Sequence, residues 1–190
     1  MKYEVVITSK NSKTNENNGA PIGIYYKNDK TVVAHLYEGS HTYENLKNND
    51  YFVINITAPY EIAKFVLDDG IKEDYGHIKG APYLLNSHKI QLVKIENYKI
   101  TKLNDKYGDS HLMIINGNIE LEKELNPPKI EPYNRANGLI VEMAVIYSRL
   151  NIVDNETKLK LKNEMNYYFK TIKKVGSKKH IELAEKMLKE

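Results

Sequence analysis

Residues 126–132 read NPPKIEP, and the hydrophobic period differs on the two sides of this stretch. Ahead of it, apolar residues alternate with polar ones in short runs, the two-residue period of a half-buried strand. Behind it they return every three or four residues, the period of an amphipathic helix. The paired prolines make the stretch itself rigid, so it reads as a boundary. Strands therefore come first and helices last. That order predicts an α+β protein whose sheet is mainly antiparallel, since a parallel sheet needs strands and helices in alternation.

The strand half is punctuated in the manner of successive hairpins. YEVVITS (3–9) is a strand, and NSKTNENNG (11–19) is a polar loop. APIGIYYK (20–27) and TVVAHLY (31–37) flank a short Asn-Asp turn. Residues 41–48 suit a short helix and YFVINIT (51–57) a central strand. Pro59 opens a helix that Gly70 stops, and residues 70–82 read as a loop broken by Gly76, Gly80 and Pro82. KIQLVKIENYKITKL (89–103) alternates, and Asn116-Gly117 within 111–125 is a hairpin signal. Six or more strands in this order predict an antiparallel barrel or sandwich.

Past the boundary, RANGLIVEMAVIYSRL (135–150) is apolar almost all round and should be buried on most sides. Its polar exceptions Arg135, Glu142 and Arg149 fall on one stripe. That much apolar surface exceeds what one barrel face covers, so a second copy or the remaining helices must bury it. Residues 156–176 form a second helix with Asp154 as N-cap, and Ser177 caps a third.

Composition removes several classes of chemistry. The 190 residues include no cysteine, which excludes disulfides, zinc–thiolate sites, iron–sulfur clusters and thiol nucleophiles. The six histidines are scattered singly, so no metal site is expected. No G-x-G-x-x-G, P-loop, G-x-S-x-G or H-E-x-x-H motif occurs. MKYEVVITSK at the start reads as a strand and not as a leader, and no run reaches the length of a membrane span. A cytoplasmic protein is expected. Residues 156–190 carry ten lysines against five glutamates, leaving the rest of the chain at −2. The basic charge thus belongs to a solvated helical tail, and no nucleic-acid partner is expected.

One stretch concentrates hydrogen-bond donors just ahead of a core strand. EGSHTYENLKNND places Ser40, His41, Thr42 and Asn45 at a helix start. These residues suit plain capping, and they equally suit an anion seat shared with backbone N–H groups. Asn55, inside YFVINIT, is either satisfied by neighbouring backbone or turned to a ligand. Ala20-Pro21-Ile22-Gly23 begins a strand with a residue lacking N–H and, at Gly23, one lacking a side chain. It is an ordinary strand entrance or a place for close approach by another backbone or a flat ligand.

The succession API-G, YEGSHTYENLKNNDYFVINIT and PYNRANGLIVEMAV resembles the archaeal and bacterial family called domain of unknown function 447. Members of that family are similar to the FMN-binding split-barrel proteins, which include flavin reductases and pyridoxamine-phosphate-oxidase-like proteins. The resemblance implies a six-stranded Greek-key split β-barrel over residues 1–130 and a helical extension over 131–190. It implies FMN as cofactor, in a homodimer with the flavin near the subunit interface. Carried over by that likeness, Ser40, His41, Thr42 and Asn45 are the phosphate-binding turn, and Pro21, Ile22 and Gly23 run along the isoalloxazine edge. Asn55 lies within reach of the ribityl chain or ring, and Asn134 and Arg135 close the site. The split-barrel oxidases hold phosphate with Arg and Lys, which residues 38–46 lack, so the likeness is to the flavin-reductase side. The expected function is that of an FMN flavoprotein acting as an oxidoreductase, or a flavin-binding sensor without turnover. The catalytic residues and the substrate are not given by the likeness.

Overall fold

The computed structural model describes residues 1–67, 73–105 and 108–189. The alternating half of the chain folds into β1 (Lys2–Lys10), β2 (Asn17–Tyr26), β3 (Thr31–Tyr37), α1 (His41–Leu46), β4 (Tyr51–Ile56) and α2 (Pro59–Lys64). The short strands β5 (Tyr75–Ile78) and β6 (Ala81–Leu84) follow, then β7 (Lys89–Asp105) and β8 (Gly108–Glu124). Six of these strands close into an antiparallel barrel in the order β1-β2-β3-β8-β7-β4, with β4 returning to β1. This is the six-stranded barrel expected, and the β3–β4 connection skips two strands in Greek-key fashion. Val5, Ile7, Ile24, Leu36, Phe52, Ile54, Met113 and Ile115 fill its interior from alternate positions along the strands.

The barrel is not paired evenly around its circumference. β1 and β2 pair along their whole length, Lys2 opposite Tyr25 to Lys10 opposite Asn17. β3 joins β2 only from Ile24 to Tyr26, and β4 joins β1 only from Val6 to Thr8. Residues 17–23 of β2 therefore have a strand neighbour on one side alone. Here the split of the barrel lies.

Three sequence expectations change. Asn116 and Gly117 do not make a turn, because β8 runs straight through them, with Gly117 opposite Val32 on one side and Ile95 on the other. Asn116 bonds sideways to Asn97, Nδ2 to Oδ1 at 3.0 Å, beside a register shift between Ile95 and Asn97. A Cβ on Gly117 would overlap Val93 Cγ1 and come within 3.0 Å of the Lys94 carbonyl oxygen. The glycine is there for close passage between strands. Residues 75–82, part of the stretch 70–82 read as a loop, belong with Tyr83 and Leu84 to the β5–β6 hairpin, whose turn places Lys79 (φ 47°) and Gly80 (φ 79°) in the left-handed region. Strand β2 also begins inside the expected loop, at Asn17. The Gly70 helix stop lies outside the described residues.

The packing divides the chain into one unit of Met1–Ala58 with Asp68–Pro128, and another of Pro59–Leu67 with Lys129–Glu190. The expected boundary near residue 130 divides the sequence in two, whereas the packing also assigns α2 to the helices. Its Ala63, with Tyr60 and Val66, joins their core. The second unit contains α3 (Arg135–Tyr147), α4 (Asn155–Val175) and α5 (Lys178–Lys189). Asp154 caps α4 as expected, accepting from the Thr157 N–H at 2.9 Å. The apolar face of α3 packs with Ala63 of α2, Met165 and Ile172 of α4, and Leu183 and Met187 of α5. The excess apolar surface of α3 is thus covered within the unit. No helix among the described residues is long and apolar enough to cross a membrane.

His180 ties α5 to α3. It is 6% exposed, with Nδ1 2.7 Å from Ser177 Oγ and Nε2 3.0 Å from Asn137 Oδ1. The neutral ring carrying its proton on Nε2 satisfies both neighbours, donating to Asn137 and accepting from the Ser177 hydroxyl.

Two outcomes are expected. Gly117→Ala should destabilise the barrel by ~1–3 kcal/mol, read as a lower urea midpoint at unchanged slope. Burial, aided by Lys179, holds the His180 ring below the usual imidazole range. Its stabilising effect is complete above the unfolded value and is lost as pH falls through the lower folded one. The melting temperature should fall from pH 7 to pH 5, and His180→Gln should flatten that slope. His35, lowered likewise by burial and by Lys2, leaves a residual slope.

Candidate functional site

Helix α1 lies at the parting of the barrel, in contact with β1, β2 and β3. Gly39, at φ 87°, turns the chain out of β3, a conformation costly for any residue with a Cβ. Ser40 then caps the helix, its Oγ accepting from the Tyr43 N–H at 3.2 Å and donating to the Tyr37 carbonyl at 3.1 Å. Tyr43 and Leu46 insert into the barrel core at 2% and 1% exposure.

The polar residues of this turn divide into an inner and an outer set. Thr42 is fully buried, and its Oγ1 accepts from Asn18 Nδ2 at 2.8 Å. Asn45 is buried too, and donates from Nδ2 to Ser9 Oγ at 3.1 Å. Asn49 adds bonds of 2.7 Å to the Lys10 and Asn45 carbonyls. These bonds pin α1 across the end of the β1–β2 ribbon. Ser40 and His41 remain at the outer, N-terminal end, with His41 exposed.

Pro21, Ile22 and Gly23 lie on the stretch of β2 that lacks a second strand neighbour, opposite Val6, Val5 and Glu4. All three are half-buried. The Lys2 side chain crosses directly over Gly23, where any Cβ would overlap its Cε. Lys2 Nζ also pairs with Glu4 Oε1 at 2.8 Å. What lies against Gly23 among the described residues is thus the Lys2 side chain, a cation outside residues 38–46. Asn18, beneath α1, and Gly23, beneath Lys2, are five residues apart on one strand, about 17 Å.

Asn55 takes the internally satisfied arrangement. Its Nδ2 donates to the Val6 carbonyl at 3.1 Å and Thr8 Oγ1 at 2.9 Å, and its Oδ1 accepts from the Leu84 N–H at 2.8 Å and Ser87 Oγ at 3.2 Å. With no exposed surface, it braces β4 against β1 and β6. Asn134 and Arg135 belong to the helical unit. Asn134 caps α3, with Oδ1 accepting from the Ala136 N–H at 2.9 Å, and donates from Nδ2 to the Val175 carbonyl at 2.8 Å. Arg135 is exposed.

The partners Asn18, Ser9, Thr8 and Ser87 were not singled out from the sequence. The available signal was the burial demand of Thr42, Asn45 and Asn55, each of which must find a partner somewhere. Asn55→Ala leaves the Leu84 N–H and the Ser87 hydroxyl without their acceptor in a dry site. A loss of ~2–4 kcal/mol in the unfolding free energy is expected by urea titration.

The chain has recognisable relatives. Residues 3–126 match the family described as "Protein of unknown function (DUF447) N-terminal domain", and residues 134–189 match "Protein of unknown function (DUF447)". An uncharacterised protein of Methanocaldococcus jannaschii is 48% identical over 195 residues, covering 100% of this chain and 97% of its own length. Among solved structures, an FMN-bound DUF447 protein from Methanosarcina mazei superposes with a TM-score of 0.80 at 18% identity, over 99% of this chain and 94% of that one. The flavin reductase of styrene monooxygenase from Pseudomonas putida S12 gives 0.52 at 12% identity, over 67% and 83%. These superpositions identify the barrel as the split-barrel fold. With both halves matched in order along one chain, this protein belongs to the DUF447 family.

Proposed function

We propose that this protein is a flavoprotein that binds FMN along the unpaired edge of β2 and acts as an oxidoreductase. The observation that carries the reading is the parting of β2 from β3, which leaves residues 17–23 with one strand neighbour and sets α1 at one end of them. A strand edge offers backbone donors and acceptors in a row, and the polar rim of an isoalloxazine needs such a row. Pro21 contributes only an acceptor there, and Gly23 keeps that part of the edge free of its own side chain.

At the other end, the outer part of the turn, with Ser40, His41 and the first N–H groups of α1, receives the phosphate. Thr42 and Asn45 serve from the inside, by fixing the turn to Asn18 and Ser9. Asn55 braces the barrel wall. The FMN named for the Methanosarcina mazei relative supports the choice of cofactor, and the flavin reductase among the structural neighbours supports the reaction class. FMN would supply the electron-transfer chemistry, and the chain supplies position and electrostatics. Lys2 lies over Gly23, at the ring end of that edge. It would stabilise negative charge gained there on reduction.

Titration of the flavin-free protein, followed by flavin fluorescence, should show FMN bound at least about tenfold more tightly than riboflavin, because a charged phosphate adds charge-assisted bonds. Equal affinities would remove the phosphate from α1. Bleaching of the flavin absorption by NADH or NADPH should follow in the loaded protein. A bound flavin that neither donor reduces would leave a binding protein in place of a reductase.

A further inference from the structure

The parting of β2 from β3 has a second side. The β2–β3 ladder ends with Ile24 opposite Ala34, so one further pair would have set Gly23 opposite His35. His35 is thus the first residue of β3 past the fork. Its other edge is taken by β8, where it pairs with Ile114. Ala34 and Leu36 point into the barrel core, so His35 lies on the outer face. By the same alternation from Val5 and Ile24, the residues Lys2, Glu4, Gly23 and Tyr25 share that face.

The His35 ring is half-buried and lies against Tyr25, with centroids 5.1 Å apart and planes tilted by 47°. Lys2 is close enough to act on it: burial first, and then this cation, hold the imidazole below its usual range. His77, His88, His111 and His180 each bring a ring nitrogen to an oxygen of the chain. His35 has no such partner among the described residues. A ring that has lost part of its water without gaining a partner in the chain suits the polar atom of a ligand. The contact with Tyr25 alone would be an ordinary cross-strand pair. The fork is what sets His35 apart, because the ring end of the open β2 edge lies beside it.

We propose that His35 is a catalytic residue of the flavin site, hydrogen-bonded through a ring nitrogen to the polar rim of the isoalloxazine beside Gly23, and that its imidazole takes up a proton when the flavin is reduced. Resting on the reading that FMN lies along β2, this role supplies the group that couples electrons to protons. The electrons come from the reductant and the proton from solvent, and the only bond formed on the chain is the second ring N–H. The groups facing His35 suit such an exchange. Lys2 and Glu4 of β1 pair with each other, and β2 offers Tyr25. Uncharged Ile114 comes from β8, with Lys99 beyond it on β7, and Tyr37 follows on β3 itself. Of these side-chain types, only imidazole ordinarily changes charge between pH 5 and 8. Before reduction the ring is neutral at pH 7, since burial and Lys2 disfavour the cation. Negative charge gained beside it favours the cation, so its hold on a proton strengthens at that moment. Lys2 answers that charge as a permanent cation, and His35 as one that appears on reduction.

The test uses the full chain with its imidazoles labelled for NMR, and its first arm needs no variant. With bound FMN reduced by dithionite, the His35 ring should hold its proton at least about tenfold more tightly than with oxidised FMN. Identical titration in the two loaded states would overturn the proposal. Potentiometry gives a second readout. Between the two His35 titration points, the flavin reduction equilibrium should gain about one additional power of ten per unit fall in pH, ~30 mV for a two-electron couple. His35→Gln should lose that increment, and His88→Gln, beyond β6, should keep it. A loaded His35→Gln protein with the wild-type pH slope would also overturn the proposal. A chain that takes up no FMN would overturn the flavin reading and this role together. FMN taken up beside an unresponsive His35 would overturn this role alone.

Discussion

A barrel in which two neighbouring strands part must be stopped at the parting, or water reaches its core. In this protein the stopper is α1, six residues long. Helices of that length have little stability of their own, because the cost of nucleation is hardly recovered in one and a half turns. The helix is held by what it buries. Tyr43 and Leu46 anchor it in the core, each contributing roughly 1.5–3 kcal/mol by leaving water. Thr42 and Asn45 then fix its orientation through directed bonds to Asn18 and Ser9. Those bonds lie in a dry site, where a lost partner costs more than a formed bond gains. The open edge of β2 keeps its shape because α1 cannot slide along it.

The same turn shows how far a single sequence can be read. The donor-rich stretch at 40–45 was legible as a special place, and its helix start and Ser40 cap followed from residue preferences. Which side chains face inward was not legible. Thr42 and Asn45 find partners 24 and 36 residues away, and such pairings arise only when strands close. Asn55 is similar. Its burial was evident from its apolar neighbours, and its partners on β1, on β6 and at Ser87 were not.

The strand and helix halves were separable at NPPKIEP because the period itself changes there. Errors came where a local signal met a long-range demand. Asn116-Gly117 has the chemistry of a hairpin turn, yet β8 needs a glycine at that point for close passage beside Val93 and Lys94. Tertiary packing overrides turn propensity in such places. In the 70–82 stretch Gly76 and Pro82, read as breakers, lie inside β5 and β6, and Lys79-Gly80 serves as the tight turn of a hairpin and not as part of an open loop.

The assignment of α2 to the helical unit bears on how this chain can be made and cut. The backbone leaves the strand unit at Ala58, contributes Pro59–Leu67 to the helices, and returns before β5. The strand unit is therefore not continuous in sequence. A fragment ending at the proline boundary would keep α2 but lose the helices that bury Tyr60, Ala63 and Val66, and would expose a sticky apolar patch. During synthesis α2 emerges long before its packing partners and must wait for them. Helices α3 to α5 complete a core begun near residue 60, so α2 lacks settled neighbours until they are made, whereas the strand unit draws on nothing beyond Pro128.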